Sequence, residues 1–208
     1  MLFEFMVAQA AEHLKAVVGK SAATVSRANI GLRVDNSVID RVGRLLRCTW
    51  SWYSGRFKKV LNGQDLLGVV LTVGGMVFPL HLVFCSKQGR ANTDKPSLLL
   101  SMLAQLKEAF QREGIDITAF PITLDSWFVS QPLREALLKL GFTKIILAGK
   151  GNYVFTGDGE KRSASGWKKH LTLTPGLWGI DVAAKRMVAT SPTFGKVGLL
   201  FYGLLKEL

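Results

Sequence analysis

Cysteine is nearly absent from this 208-residue chain, which carries only Cys48 and Cys85, 37 positions apart. That spacing fits neither a disulfide framework nor a zinc pattern, so both are expected to be free thiols in a reducing cytoplasm. Proline is scarce, at six residues, and no internal repeat or low-complexity tract occurs. The opening residues, "MLFEFMVAQAAEHLK", lack a basic leader and carry Glu4, which argues against a secretory signal. What remains is globular: 48% hydrophobic and 20% charged, long enough for one domain with a real core.

Acids are also few. Fifteen Asp and Glu stand against 27 Lys and Arg, a net charge of +12. From residue 41 to residue 64 there is no acid at all. That stretch holds Arg41, Arg44, Arg47, Arg56, Lys58 and Lys59, interleaved with Trp50, Trp52, Tyr53 and Phe57. A second cluster is Lys161, Arg162, Lys168, Lys169 and His170. Basic side chains gain affinity for phosphate through counterion release, and aromatic rings offer surfaces for bases or sugars. Clustered charge of this size points to nucleic acid. A solvated basic face and an acidic lipid surface are the competing explanations.

Residues 66 to 85, "LLGVVLTVGGMVFPLHLVFC", contain no charge over twenty positions, long enough for a transmembrane helix. Gly74-Gly75 at the centre, Pro79 and His81, and the β-branched residues on both sides favour a buried β-hairpin turning at the two glycines. A membrane partner is therefore not expected. His81 is read as a satisfied core or edge residue, not a metal ligand.

Elsewhere the pattern alternates strands and helices. Residues 28 to 37 read as a strand ending near Asp35. "DKPSLLLSMLAQLKEAFQREG" reads as a helix with Asp94 as cap, Pro96 in its first turn, Gly114 at its end, and Leu99, Leu103, Leu106 and Phe110 on one face. "ITAFPITLD" predicts a strand, "SQPLREALLKLG" a short helix stopped by Gly141, and "KIILAGKGNYVF" another strand. Residues 156 to 166 read as a loop, with weaker strands after it. "FGKVGLLFYGLLKEL" has helix-length apolar character on nearly all sides. The order indicates an α/β fold with a mixed sheet.

Asp35 and Asp125 each close an apolar run and precede a small polar residue. If their strands are neighbours, the two carboxylates meet, and they repel unless a cation lies between them. Hard oxygen ligands suit magnesium or manganese, and such a pair can serve phosphodiester cleavage. Strand-end acids are common in α/β proteins, and the ordinary role of each Asp is to cap a turn or helix start.

Together, "LRVDNSVIDRVGR", "MVFPLHLVF", "ITLDSWFVSQPLREALLKLGFTKIILAGKGNYVF" and "RMVATSPTFGKVGLLFY" resemble the catalytic domain of DDE transposases from bacterial insertion sequences, from about Ile30 onward. The resemblance implies a ribonuclease H-like mixed sheet flanked by helices, incomplete at the C-terminus, over residues 28–208, behind an N-terminal helical segment over 1–27. It implies Asp35 and Asp125 as catalytic, Mg2+- or Mn2+-binding residues, with DNA at transposon ends and target as partner. Arg41, Arg44, Arg56, Lys58, Lys59, Lys150, Lys168 and Lys169 are then DNA contacts in a bacterial, nucleoid-associated protein that can form homo-oligomers.

The chain departs from the family in two places. Many relatives have two consecutive acids where this sequence has Asp35-Asn36. The family's catalytic Glu lies beyond the region matched here, so Glu207 is too early to supply it. Two outcomes follow from the resemblance: metal-dependent strand cleavage and transfer, or a remnant that only binds DNA through its basic surface. A non-nucleic-acid enzyme, or a membrane-associated protein using the basic face, is the reading from a different class.

Overall fold

The computed structural model describes residues 2–18, 30–40, 47–55, 57–87, 94–175 and 182–204. They fall into two compact units, Met1–Ala148 and Gly149–Leu208. The expected boundary between residues 27 and 28 lies outside the described residues.

The first unit opens with helix α1 (Leu2–Val18) and strand β1 (Gly31–Asp40). Strands β2 (Trp50–Ser54), β3 (Lys59–Val73) and β4 (Met76–Phe84) follow. Then come α2 (Lys95–Arg112), β5 (Ile122–Leu124), α3 (Gln131–Leu140) and β6 (Ile145–Leu147). The sheet order is β2-β3-β1-β5-β6, with β4 also paired to β3. β1 runs antiparallel to β3, from Gly31 opposite Thr72 to Asp40 opposite Gly63. β5 pairs parallel to β1, and β6 parallel to β5. The architecture is mixed α/β, as the alternating pattern indicated.

The charge-free segment folds as the expected hairpin. β3 and β4 pair antiparallel and turn at Gly74 and Gly75, whose φ values of 57° and 91° suit glycine. Among the described residues, no helix is long and apolar enough to cross a membrane. β3 begins earlier than the apolar run, because its first residues pair with β2 inside the basic-aromatic stretch. At Gly63 a Cβ would stand 2.3 Å from the Ile39 carbonyl oxygen, so only glycine admits this close approach of β1 and β3.

The α2 face is as expected: Leu99, Leu103, Leu106 and Phe110 are all buried. They join Val7, Ala10, Ala11 and Leu14 of α1, Leu133 and Leu137 of α3, and the inward residues of β1, β3 and β5 in one core. Each such buried leucine contributes about 2 kcal/mol. α3 starts at Ser130, whose hydroxyl accepts from the Leu133 amide, and stops at Gly141 in the left-handed region, as predicted. Asp94 does occupy the α2 cap position, but its side chain does not cap. It accepts from the Ser97 hydroxyl instead.

Several expectations are corrected. β1 does not end at Asp35 but continues five residues, because β3 is long enough to pair with all of it. In "ITAFPITLD" only Ile122–Leu124 is strand, and Ile117–Ala119 forms a 3-10 turn capped by Asp116. "KIILAGKGNYVF" divides into β6 and β7 (Val154–Gly157), which belong to different sheets. The stretch read as a loop forms β7, a turn, β8 (Glu160–Ser163) and helix α4 (Ala164–His170). The final apolar segment is not helical. It forms β11 (Gly195–Leu204), paired along its length with β10 (Val182–Ser191). Alternation of half-buried Val197 and Leu199 and buried Phe201 with exposed Lys196, Leu200 and Tyr202 is the period-2 signal of a one-sided strand.

The second unit is thus an antiparallel sheet, β11-β10-β7-β8, with β9 (Thr174–Pro175) beside β10. Its small core gathers Phe155, Trp167, Ala189 and Phe201. The Trp167 indole N–H donates to the Phe155 carbonyl at 3.1 Å, which satisfies the polar edge of a buried ring.

Candidate carboxylate site on strands β1 and β5

The parallel register sets Leu32 beside Ile122, Arg33 beside Thr123 and Val34 beside Leu124. Asp35 and Asp125 are the residues that follow the last of these pairs. Side chains alternate along a strand, so Asp35 lies on the face opposite buried Leu32 and Val34. Asp125 follows buried Leu124 and shares that outer face. Both residues are exposed. Partial loss of solvent around the Asp35 carboxylate raises its pKa from the ordinary 3.8; the Asn36 amide opposes this, and the nearby charge of Asp125 adds to the rise. The two acids therefore sense each other.

Each carboxylate folds back on its own chain. Asp35 Oδ1 accepts from the Asn36 amide at 2.8 Å, and Asp125 Oδ1 accepts from the Ser126 amide at 2.6 Å. Asp125 thereby caps the 3-10 turn Ser126–Phe128. The turn-capping role holds for Asp125 alone; Asp35 lies within β1, and its contact with the Asn36 amide caps no turn. The other oxygen of each has no hydrogen-bond partner among the described residues.

Asn36 is placed by the same alternation on the inner side of β1. Its Nδ2 donates to Asp65 Oδ1 at 3.1 Å. Asp65 is 1% exposed, and its Oδ2 pairs with Lys95 Nζ at 2.5 Å. The Lys95 ammonium lies 4.8 Å from the Trp127 ring centre and 5.5 Å from that of Trp52. Trp127 packs edge-on against buried Phe128 at 5.0 Å and remains 53% exposed.

Asp65 and Lys95 did not figure among the expected site residues. The signal for Asp65 was present: it is the only acid between Asp40 and Asp94. It also falls in step with Leu67, Val69, Leu71 and Val73 on the buried face of β3. Asp40 is exposed at the end of β1. His81 accepts or donates a hydrogen bond to Gln105 at 3.1 Å and packs on Phe3, in keeping with a satisfied histidine.

Lys58 and Lys59 are exposed at the β2–β3 turn. Arg41, Arg44 and Arg56 lie outside the described residues. Lys150, Lys168 and Lys169 are exposed on the second unit. Lys168 and Lys169 line a shallow hollow with Ser165, Leu171 and Leu173.

As donors, Asp35 and Asp125 offer two hard oxygens on one sheet face, a set suited to a divalent cation. Among the described residues, no group of three or more His, Cys, Asp or Glu is arranged to hold a metal ion. No protein-family model, curated protein or solved structure matches the chain.

Proposed function

We propose that this chain is the catalytic part of a metal-dependent DNA-processing enzyme of the DDE transposase type, built on a ribonuclease H-like sheet. The observation that carries the reading is the parallel β1–β5 register, whose last pair, Val34 and Leu124, immediately precedes Asp35 and Asp125, with the charge of Asp125 felt at Asp35. The strand order supports it. β1 pairs antiparallel with β3, which pairs antiparallel with β2 along its first residues and with β4 along the rest, and the parallel strands β5 and β6 extend the other edge of β1. A ribonuclease H-like sheet is compatible with this order, and the reading takes it as one. The net charge of +12 suits a polyanionic partner, here transposon-end and target DNA.

In this reading Asp35 and Asp125 hold Mg2+ or Mn2+. The chemistry that a cation held by these two carboxylates would supply is activation of water and stabilisation of the leaving oxygen of a phosphodiester. Taken unit by unit, exposed Lys58 and Lys59 of the first and exposed Lys150, Lys168 and Lys169 of the second are the proposed phosphate contacts, which would add affinity without reading sequence.

The test is Mn2+ binding, followed by electron paramagnetic resonance, for the wild type and Asp125→Ala. Binding in the wild type that disappears in the variant is the expected result. Equal Mn2+ affinity in both overturns the site. Salt-sensitive duplex binding with no Mn2+ binding assigns the chain instead to DNA binding alone, and preference for acidic lipid vesicles over duplex DNA overturns the nucleic-acid reading.

A further inference from the structure

We propose that the buried Lys95–Asp65 pair is a positioning element for the two carboxylates, an inference that rests on reading Asp35 and Asp125 as a cation site. Lys95 is the first residue of α2, and the first turn of that helix contains no acid. A helix N-terminus carries partial positive charge and favours anions, so an ammonium there is opposed by the helix itself. The Lys95 side chain is also only 11% exposed, which strips most of its water. Helix stability does not account for a lysine at this position. Its contacts do.

Those contacts join the two acid-bearing segments beneath the sheet. Asp35 is followed by Asn36, and Asn36 binds Asp65 Oδ1. Asp65 Oδ2 binds Lys95, and Lys95 lies against the ring of Trp127, two residues after Asp125. The path therefore begins next to one carboxylate and ends next to the other without using either. It crosses three elements that are far apart in sequence: β1, β3 and the start of α2. Trp127 supplies a rigid, broad group on which the ammonium fixes the turn that Asp125 caps. A buried ion pair is a poor source of net stability, and conformational definition is the better reason to keep one. Groups behind metal ligands act in this way, by holding the ligands in place.

The experiment compares the full chain with Lys95→Met and Lys95→Arg. Two properties are read: Mn2+ affinity, and backbone amide exchange at Ser126, whose N–H is held by Asp125, relative to Leu106 in the α2 core. The expected result for Lys95→Met is Mn2+ affinity reduced by about tenfold or more, with exchange accelerated at Ser126 but not at Leu106. Lys95→Arg, which keeps the charge, is expected to restore both. Wild-type Mn2+ affinity in Lys95→Met, or equal acceleration at Ser126 and Leu106, overturns the proposal. If the wild type binds no Mn2+, the cation-site reading fails, and the exchange comparison alone decides the positioning role. If Lys95→Met does not fold, the isosteric Asp65→Asn is read by the same two measurements.

Discussion

Asn36 Nδ2 donates to Asp65 Oδ1 at 3.1 Å, on the side of β1 opposite Asp35. The relationship settles what the second residue of the Asp35-Asn36 pair does here. Asn36 faces the interior, where its amide meets a buried carboxylate, and Asp35 alone shares a face with Asp125.

A second acid at this position is therefore expected to harm the fold. Asn36→Asp replaces a donor with a carboxylate that faces Asp65. The expected loss is about 2 kcal/mol at neutral pH, from a missing hydrogen bond and like-charge repulsion. Urea unfolding checks it. The loss should shrink in acid, where the new carboxyl takes up a proton, and an unchanged midpoint at pH 7 would sink the argument.

The raised pKa of Asp35 has a defined sign in stability. The folded chain holds this proton to higher pH than the unfolded chain does. The contribution to stability therefore falls as pH rises from the ordinary value of 3.8 through the raised folded value. Asp125→Asn removes the repulsive charge, so Asp35 is expected to titrate at lower pH than in the wild type. Carbon-13 NMR titration of the Asp35 carboxyl measures this, and an unmoved midpoint would contradict the contact between the two acids.

The two thiols are expected to differ in reactivity. Cys85 is fully buried, and its pKa is pushed up to about 11, first by burial and then by the charge of Asp65; Lys95 and the Leu67 amide pull the other way. Cys48 is half-buried. At pH 8, iodoacetamide should modify Cys48 first and leave Cys85 intact until urea unfolds the chain. Mass spectrometry of the labelled peptides decides it, and equal labelling in the native state would contradict this packing.

Much of the first unit is legible from local chemistry. Gly74-Gly75 marks its turn by backbone conformation, and Ser130 and Gly141 bracket α3 by capping. The leucines of α2 declare their face by spacing. The failures share a physical cause. β2 and the first residues of β3 are strand because they pair with each other, although their side chains are basic and exposed. "FGKVGLLFYGLLKEL" looks apolar on all sides as a helix, yet as a strand it is one-sided, and β10 decides between the two. The meeting of Asp35 and Asp125 was anticipated only on the condition that their strands are neighbours. Lys95 left no mark at all, because its partners, Asp65 and Trp127, are 30 residues before it and 32 after it.

The register that joins the two acids also sets when they can meet. The β3–β4 hairpin closes across two glycines, a small loop with little entropy to lose. The pairing of Val34 with Leu124 closes a loop of 90 residues. Non-local parallel pairing of this kind is intrinsically slow. A newly made chain can complete its hairpin while Asp125 is still unsynthesised, so the two acids come together only after that part of the sheet can already stand.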